Sequence, residues 1–374
     1  MGDPKIPDEV LVDLIPVTLL TGFLGSGKST LLTEILKQQA FDKTAIVVNE
    51  FGEVGLDGIL IEHSKDQIVE MTSGCLCCTI RGDIRQTLLD LHSRRARGDI
   101  PTFDRVIVES TGLADPAPVV HTLMSDPLLD RRYMLGGVVT TIDALTGVAT
   151  LENHKECEKQ AAVADRLVIT KTDLINSPDP ERSLGELQAR LSALNPTAII
   201  LNRLDAEFDY SRLFDTSLFD PDTKALSVRS WLNAEESGDH HTHGHNHSHD
   251  HDHDHPHPRH HHDVTRHGTD IRSFTLTFDE PVTIEAFASS LEALSLTQGS
   301  SILRVKGIVN TLDRPGMPLV IHGVQHVFHD PVWLDEWPDK DHQTKLVFIT
   351  KGIERETLNL FFKAWISSSK GSWQ

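Results

Sequence analysis

Positive charge is in short supply in this chain. Lysine and arginine number 35 against 55 aspartates and glutamates, a formal net charge of -20. Such a surface repels a phosphate backbone, which excludes a general nucleic-acid binder and leaves room only for local basic sites. Long apolar runs are missing too. No stretch reaches the roughly 20 residues a membrane helix needs. Asp3, Asp8, Glu9 and Asp13 occupy the start, where a signal peptide would be basic and then apolar. Together these absences predict a cytoplasmic protein without a membrane partner. Cysteine is scarce as well, and four in 374 residues are too few for the disulfide framework of a secreted domain. No internal repeat is present. What remains is ordinary globular material, 39% hydrophobic and 24% charged, in a length that buries a full core and predicts two domains.

Short apolar runs recur through the first part of the chain: "VTLLT" (17–21), "TAIVVN" (44–49), "RVIVES" (105–110), "GVVTTID" (137–143), "RLVIT" (166–170) and "AIILN" (198–202). Helix-length segments separate several of them, beginning with "KSTLLTEILKQQ". Strands alternating with helices predict an α/β fold, a doubly wound, mostly parallel sheet covered on both faces. After an N-terminal extension (1–15), this first domain is expected over 16–225. Composition then shifts sharply. Residues 226–270 form a linker that holds 14 of the 22 histidines, interleaved with Asp, and is expected to be disordered. Beyond it, "IRSFTLTFDEPV", "SILRVKGIVNT", "PLVIHGVQHVFHD" and "TKLVFITKG" read as strands and "IEAFASSLEALSL" as a helix, predicting a smaller α+β domain over 271–374.

Three motifs in the first domain point to a nucleotide. "GFLGSGKST" carries the phosphate-loop pattern, with Gly22, Gly25, Ser26, Gly27, Lys28, Ser29 and Thr30 between a strand and a helix. Its glycines let backbone N–H groups converge on phosphate oxygens at a helix N-terminus; Lys28 adds a charge toward the β and γ phosphates, and the Ser29 hydroxyl is placed for Mg²⁺. "RVIVESTG" ends an apolar strand in Glu109, with Gly112 three residues on. These look like the second-strand acid and the γ-phosphate-sensing glycine of a nucleotide hydrolase. "ITKTD" resembles the guanine-reading Asn-Lys-x-Asp element, with Thr170 in place of Asn followed by Lys171 and Asp173. Asp173 can accept from both guanine N1–H and the exocyclic amine, a pair of donors adenine does not present, so GTP is favoured.

"SGCLCCTI" crowds Cys75, Cys77 and Cys78 into four positions. Thiolate sulfur suits Zn²⁺, Cu⁺ or Co²⁺ over Mg²⁺ or Ca²⁺, and Zn²⁺ prefers four tetrahedral ligands. The three can supply two or three of them, with Cys75 and Cys77 the better pair on spacing alone. No second Cys or His pair follows at the fixed distance of a structural zinc site. An incomplete set permits ligand exchange, as a carrier requires. A redox pair or buried small hydrophobes are the alternatives. Cys157 stands alone and reads as packing.

Together "GFLGSGKST", "VVNEFGEVGLD", "SGCLCCTI", "ESTGLADP" and "TKTD", followed by a His-rich linker and a small C-terminal domain, resemble the CobW-type metallochaperone GTPases, relatives of the nickel-insertion GTPases of urease and hydrogenase. The resemblance covers nearly the whole chain from about residue 16. It implies a SIMIBI-class G domain whose Cys-x-Cys-Cys binds a divalent metal in the nucleotide-loaded state and yields it to a client protein after hydrolysis. "NEFGEVGLD" then reads as the first switch. Asp57 is the candidate for a further magnesium contact, and Glu50 or Glu53 for outer ligands or water-positioning groups; an acidic surface loop is the alternative. The histidine tract fits several weak, exchangeable metal sites. His322, His326 and His329 could extend that path, or be isolated surface or core histidines. The implied activity is a slow GTPase, since no arginine finger stands out in the motifs, with GTP, Mg²⁺ and Zn²⁺ bound, a metal-requiring client as partner, and a homodimer open as its assembly. Co²⁺ as cargo, serving cobalamin synthesis or nitrile hydratase, is the second reading; Zn²⁺ stands above it in intrinsic affinity. A metal store with a vestigial nucleotide site is the third.

Overall fold

The computed structural model describes residues 14–48, 68–70, 80–214, 270–329, 331–338 and 340–369. The first domain is a seven-stranded parallel sheet in the order β3-β2-β4-β1-β5-β6-β7. Its strands are β1 (Ile15–Gly22), β2 (Thr44–Val48), β3 (Ile68–Glu70), β4 (Arg105–Glu109), β5 (Tyr133–Asp143), β6 (Arg166–Thr170) and β7 (Ile199–Asn202). Among the described residues six α-helices accompany them: α1 (Lys28–Leu36), α2 (Ile80–Arg97), α3 (Ala117–Ser125), α4 (Gly147–Asn153), α5 (Lys155–Val163) and α6 (Pro180–Leu194).

Alternation along each strand divides the core in two. Leu20, Ile46, Val48, Ile107 and Val168 pack with Leu31, Leu32 and Ile35 of α1. Val17, Leu19, Val47, Val106 and Val108 face the other way, toward α2 and α3. Strands buried on both faces read as unbroken apolar runs, which is why the expected strands match the observed ones to within a few residues. From β1 the chain turns toward the β3 edge and from the adjacent β5 toward the β7 edge. That reversal opens a crevice at the carboxyl ends of β1 and β5, the place where such sheets bind ligands.

The second domain is an antiparallel sheet of β8 (Ile271–Phe278), β9 (Ile302–Val309), β10 (Leu319–Val324), β11 (Val327–Phe328), β12 (Val332–Trp333) and β13 (Thr344–Lys351). Its main path is β11-β10-β9-β13-β8, with β12 pairing β10. The strand character expected over "PLVIHGVQHVFHD" is divided between two strands of a hairpin: Val324 pairs Val327, and Gln325 takes the left-handed conformation the tight turn requires. Helices α7 (Ile284–Gln298) and α8 (Arg355–Ser369) cover one face with Phe287, Leu291, Leu294, Leu358 and Phe362. The opposite side joins the first domain, where Ile271, Leu303, Val324 and Ile349 belong to the same apolar cluster as α2 and α3. Among the described residues no helix is long and apolar enough to cross a membrane.

Candidate functional site

The loop between β1 and α1 is pinned by β5 and β6. Gly22 closes β1 at φ 142°, and a Cβ there would stand 2.3 Å from Thr141 Oγ1 and 2.7 Å from Ser26 Oγ, so only glycine fits. Ser26 Oγ shares a 2.6 Å hydrogen bond with Thr141 Oγ1 on β5. Thr170 Oγ1, at the end of β6, donates to Ser26 O at 2.8 Å. Lys28 is buried, and its Nζ donates to the carbonyls of Gly22 at 2.9 Å and Phe23 at 3.1 Å. Helix α1 begins at Lys28 with Gly27 as its N-cap and no side-chain cap, while Gly25 forms the exposed turn of the loop. Its first-turn N–H groups are therefore not taken by a capping side chain, which suits them to an anion.

Ser29 follows on α1, and its Oγ donates to Glu109 Oε1 at 2.8 Å. Glu109 is buried at the end of β4, where it pairs in register with Leu20 of β1. The two hard oxygens suit Mg²⁺ at the mouth of the loop. Thr30 is exposed one residue on. Gly112 lies against the loop from the other side: a Cβ on it would come 2.7 Å from the Leu24 backbone nitrogen.

The segment that resembles a guanine-reading element turns partly to the phosphate loop. Thr170 was expected beside a base; its hydroxyl instead lies between Ser26 O and Ile142 O, the latter at 3.2 Å, and supports the phosphate loop. Lys171, at φ 57°, bends over that loop, with Nζ 2.7 Å from Gly25 O and 2.6 Å from Asp143 Oδ2. Asp173 sits in the 3-10 turn Thr172–Leu174 with its carboxylate exposed, open to a base. Thr141 and Asp143 were missed by sequence reasoning. Both lie in "GVVTTID", where hydroxyls inside an apolar strand and an acid at its carboxyl end were the available signal.

Cys75, Cys77, Cys78, Asn49, Glu50, Glu53 and Asp57 lie outside the described residues, as do most of the N-terminal extension and, but for Asp270, the histidine linker. Among the described residues no group of three or more His, Cys, Asp or Glu side chains is placed to hold a metal. His322 is buried, with Nε2 2.9 Å from Arg304 Nη2 and its ring edge-on to His329 at 5.1 Å between centroids. His326 packs on His121 of α3 at 4.4 Å. Cys157 is buried on α5, where burial and then Glu158 push its thiol up to about 12. It is a packing residue, as its isolation suggested.

A phosphate loop at the switch point of a parallel sheet, faced by a strand-end acid, defines a P-loop nucleotide-binding protein. More narrowly, the chain belongs to the CobW/HypB/UreG family: residues 16–202 match the nucleotide-binding domain of that name and 271–365 the cobalamin synthesis protein CobW C-terminal domain. It is 32% identical over 348 residues to the zinc chaperone YjiA of Escherichia coli, covering 93% of this chain and 98% of that protein. Zinc-regulated GTPase metalloprotein activator 1 of Schizosaccharomyces pombe is 29% identical, with 92% of this chain and 84% of that one covered. The solved structure of Zn(II)-bound YjiA GTPase from E. coli superposes at a TM-score of 0.65 and 29% identity, covering 94% of this chain and 99% of that one.

Proposed function

We propose that this chain is a GTP-dependent zinc metallochaperone, which loads Zn²⁺ on Cys75, Cys77 and Cys78 and passes it to a client protein as GTP is hydrolysed. The similarity to proteins named zinc chaperones supports the cargo. The observation that carries the coupling is topological: β3 ends at Glu70 at the carboxyl end of the parallel sheet, the end that also carries the phosphate loop, and the cysteines follow at once in the chain.

In this reading the α1 N-terminus and Lys28 hold the phosphates, and Gly112 stands by the γ-phosphate. Lys171 and Asp173 take the base, and Thr170 braces the loop beneath it. Ser29 and Glu109 would hold Mg²⁺, with Asp57 as a further ligand and Glu50 or Glu53 outside it; that ion would neutralise charge on the phosphate oxygens. Hydrolysis is slow until a client or another partner completes the site. Three thiolates leave one zinc position open, so the cargo can exchange onto a client docked through the C-terminal domain. The cytoplasm, which keeps such thiols reduced, is where the protein works. The buried Lys28 and the Ser29–Glu109 pair speak against a store with a vestigial nucleotide site.

Cys77→Ala should remove the tightest zinc equivalent while leaving GTP affinity within a few-fold of wild type, read by chelator competition and nucleotide titration. Unchanged zinc stoichiometry and affinity would refute the assignment of the thiols.

A further inference from the structure

Helix α5 makes polar contacts with the loop after β4. Gln160 is fully buried, and its Nε2 donates to the carbonyl oxygens of Ala114 at 3.0 Å and Gly112 at 3.3 Å. Lys159, one residue earlier, pairs with Asp115 of the same loop. Thr140 Oγ1 donates at 3.0 Å to the Gln160 backbone carbonyl, which ties the residue to β5 as well. Gln160 Oε1 is buried and meets no donor among the described residues. Turning the amide over would set that oxygen against two carbonyls, so the donor end faces the loop.

Gly112 is the point at which this loop meets the phosphate loop, with space for a Cβ denied by the backbone of Leu24. Its carbonyl is held by Gln160, so the peptide plane beyond it is fixed as well. A shift of the loop relative to the sheet must therefore break two hydrogen bonds to a side chain carried by a packed helix.

We propose that Gln160 is a positioning residue for GTP hydrolysis: by holding the Gly112 and Ala114 carbonyls it sets the loop that faces the γ-phosphate against the phosphate loop. The proposal rests on the GTPase reading above. It assigns Gln160 no contact with nucleotide. Its effect lies in the geometry of the loop during phosphoryl transfer, which depends on positioning and charge stabilisation rather than on covalent chemistry by the protein.

The test is Gln160→Met in the full chain, which keeps an unbranched side chain of similar length and removes the donors. Single-turnover GTP hydrolysis and GDP affinity are measured separately. Hydrolysis should slow roughly tenfold to a hundredfold, while GDP affinity, which involves no γ-phosphate, stays within about threefold. An unchanged rate overturns the proposal. So does a rate that falls in step with GDP affinity, which would make Gln160 a packing residue only. Lys159→Ala, at the partly exposed second tether of the loop, should slow hydrolysis in the same direction by a smaller factor. If Gln160→Met fails to fold, an unchanged rate in Lys159→Ala overturns the proposal in its place. Wild-type protein that turns over no GTP would instead remove the GTPase reading itself.

Discussion

Lys306 is a buried cation on β9, 3.6 Å from Asp165 Oδ1, with Nζ donating to Thr197 O at 3.2 Å. Burial first, and then the Arg304 guanidinium, push its pKa down to about 7 against the pull of Asp165. In the unfolded chain a lysine titrates near pH 10.4. Between about pH 7 and pH 10 the unfolded state therefore binds more protons than the folded one, and this group's contribution to stability rises with pH. Wild-type thermal stability should gain on that of Lys306→Met as pH is raised from 7 to 9.5; parallel curves would contradict the assignment. At this scale legibility depended on distance along the chain. Gly22 through Ser29 form one contiguous motif and could be read from it. The Ser26–Thr141 bond spans 115 positions and the Gln160–Gly112 bond 48, and nothing local marks either partner. Thr170 takes the Asn place of the guanine-reading pattern, and the motif names that place and not the direction of its hydroxyl.

Helix α5 is the element on which both domains converge. Its Val163 carbonyl accepts from Arg304 of β9, and Asp165, two residues on, pairs with the same guanidinium and accepts from Val138 N–H at 2.9 Å. Arg304 and Asp165 are each 1% exposed. Burial works to raise the Asp165 pKa, but Arg304 foremost, with Lys306, the Val138 N–H and Arg166, holds it down to about 2. Removing one partner of such a pair leaves the other charge buried. Arg304→Met should cost about 3–5 kcal/mol of stability by denaturant unfolding, and Asp165→Asn added to it should recover part of the loss, since Asn still accepts from Val138. A cost below about 1 kcal/mol, typical of an exposed pair, would show that the junction is not held in this way. Strands β1, β2, β4, β5 and β6 were legible because burial on both faces makes them continuous apolar runs, whereas the three-residue β3 was not read. The charged positions of β9 gave no such sign, since the anion they meet belongs to the other domain. Helix α8 carries Leu358, Phe362 and Ile366 at helical spacing, a signal the sequence reading passed over.

For the whole molecule, the nucleotide cradle, the junction at α5 and the antiparallel domain form one connected body. The phosphate loop is braced by β5 and β6, Gln160 ties the β4 loop to α5, and Arg304 ties α5 to the C-terminal sheet. The class of protein was legible from motif order along the chain; how the phosphate loop joins the C-terminal domain was not, because the hydrogen bonds that tie them join residues far apart in sequence. If GTP and zinc favour the same arrangement of the switch residues, each must tighten the other. The most direct test is chelator-competed zinc affinity with Mg²⁺ and a non-hydrolysable GTP analogue, and again with GDP. It uses a chain lacking residues 239–262, so that any metal taken up by the histidine tract is not counted as zinc on the cysteines. Zinc should bind tighter with the analogue by roughly tenfold or more. Equal affinity in the two nucleotide states would contradict a GTP-gated carrier.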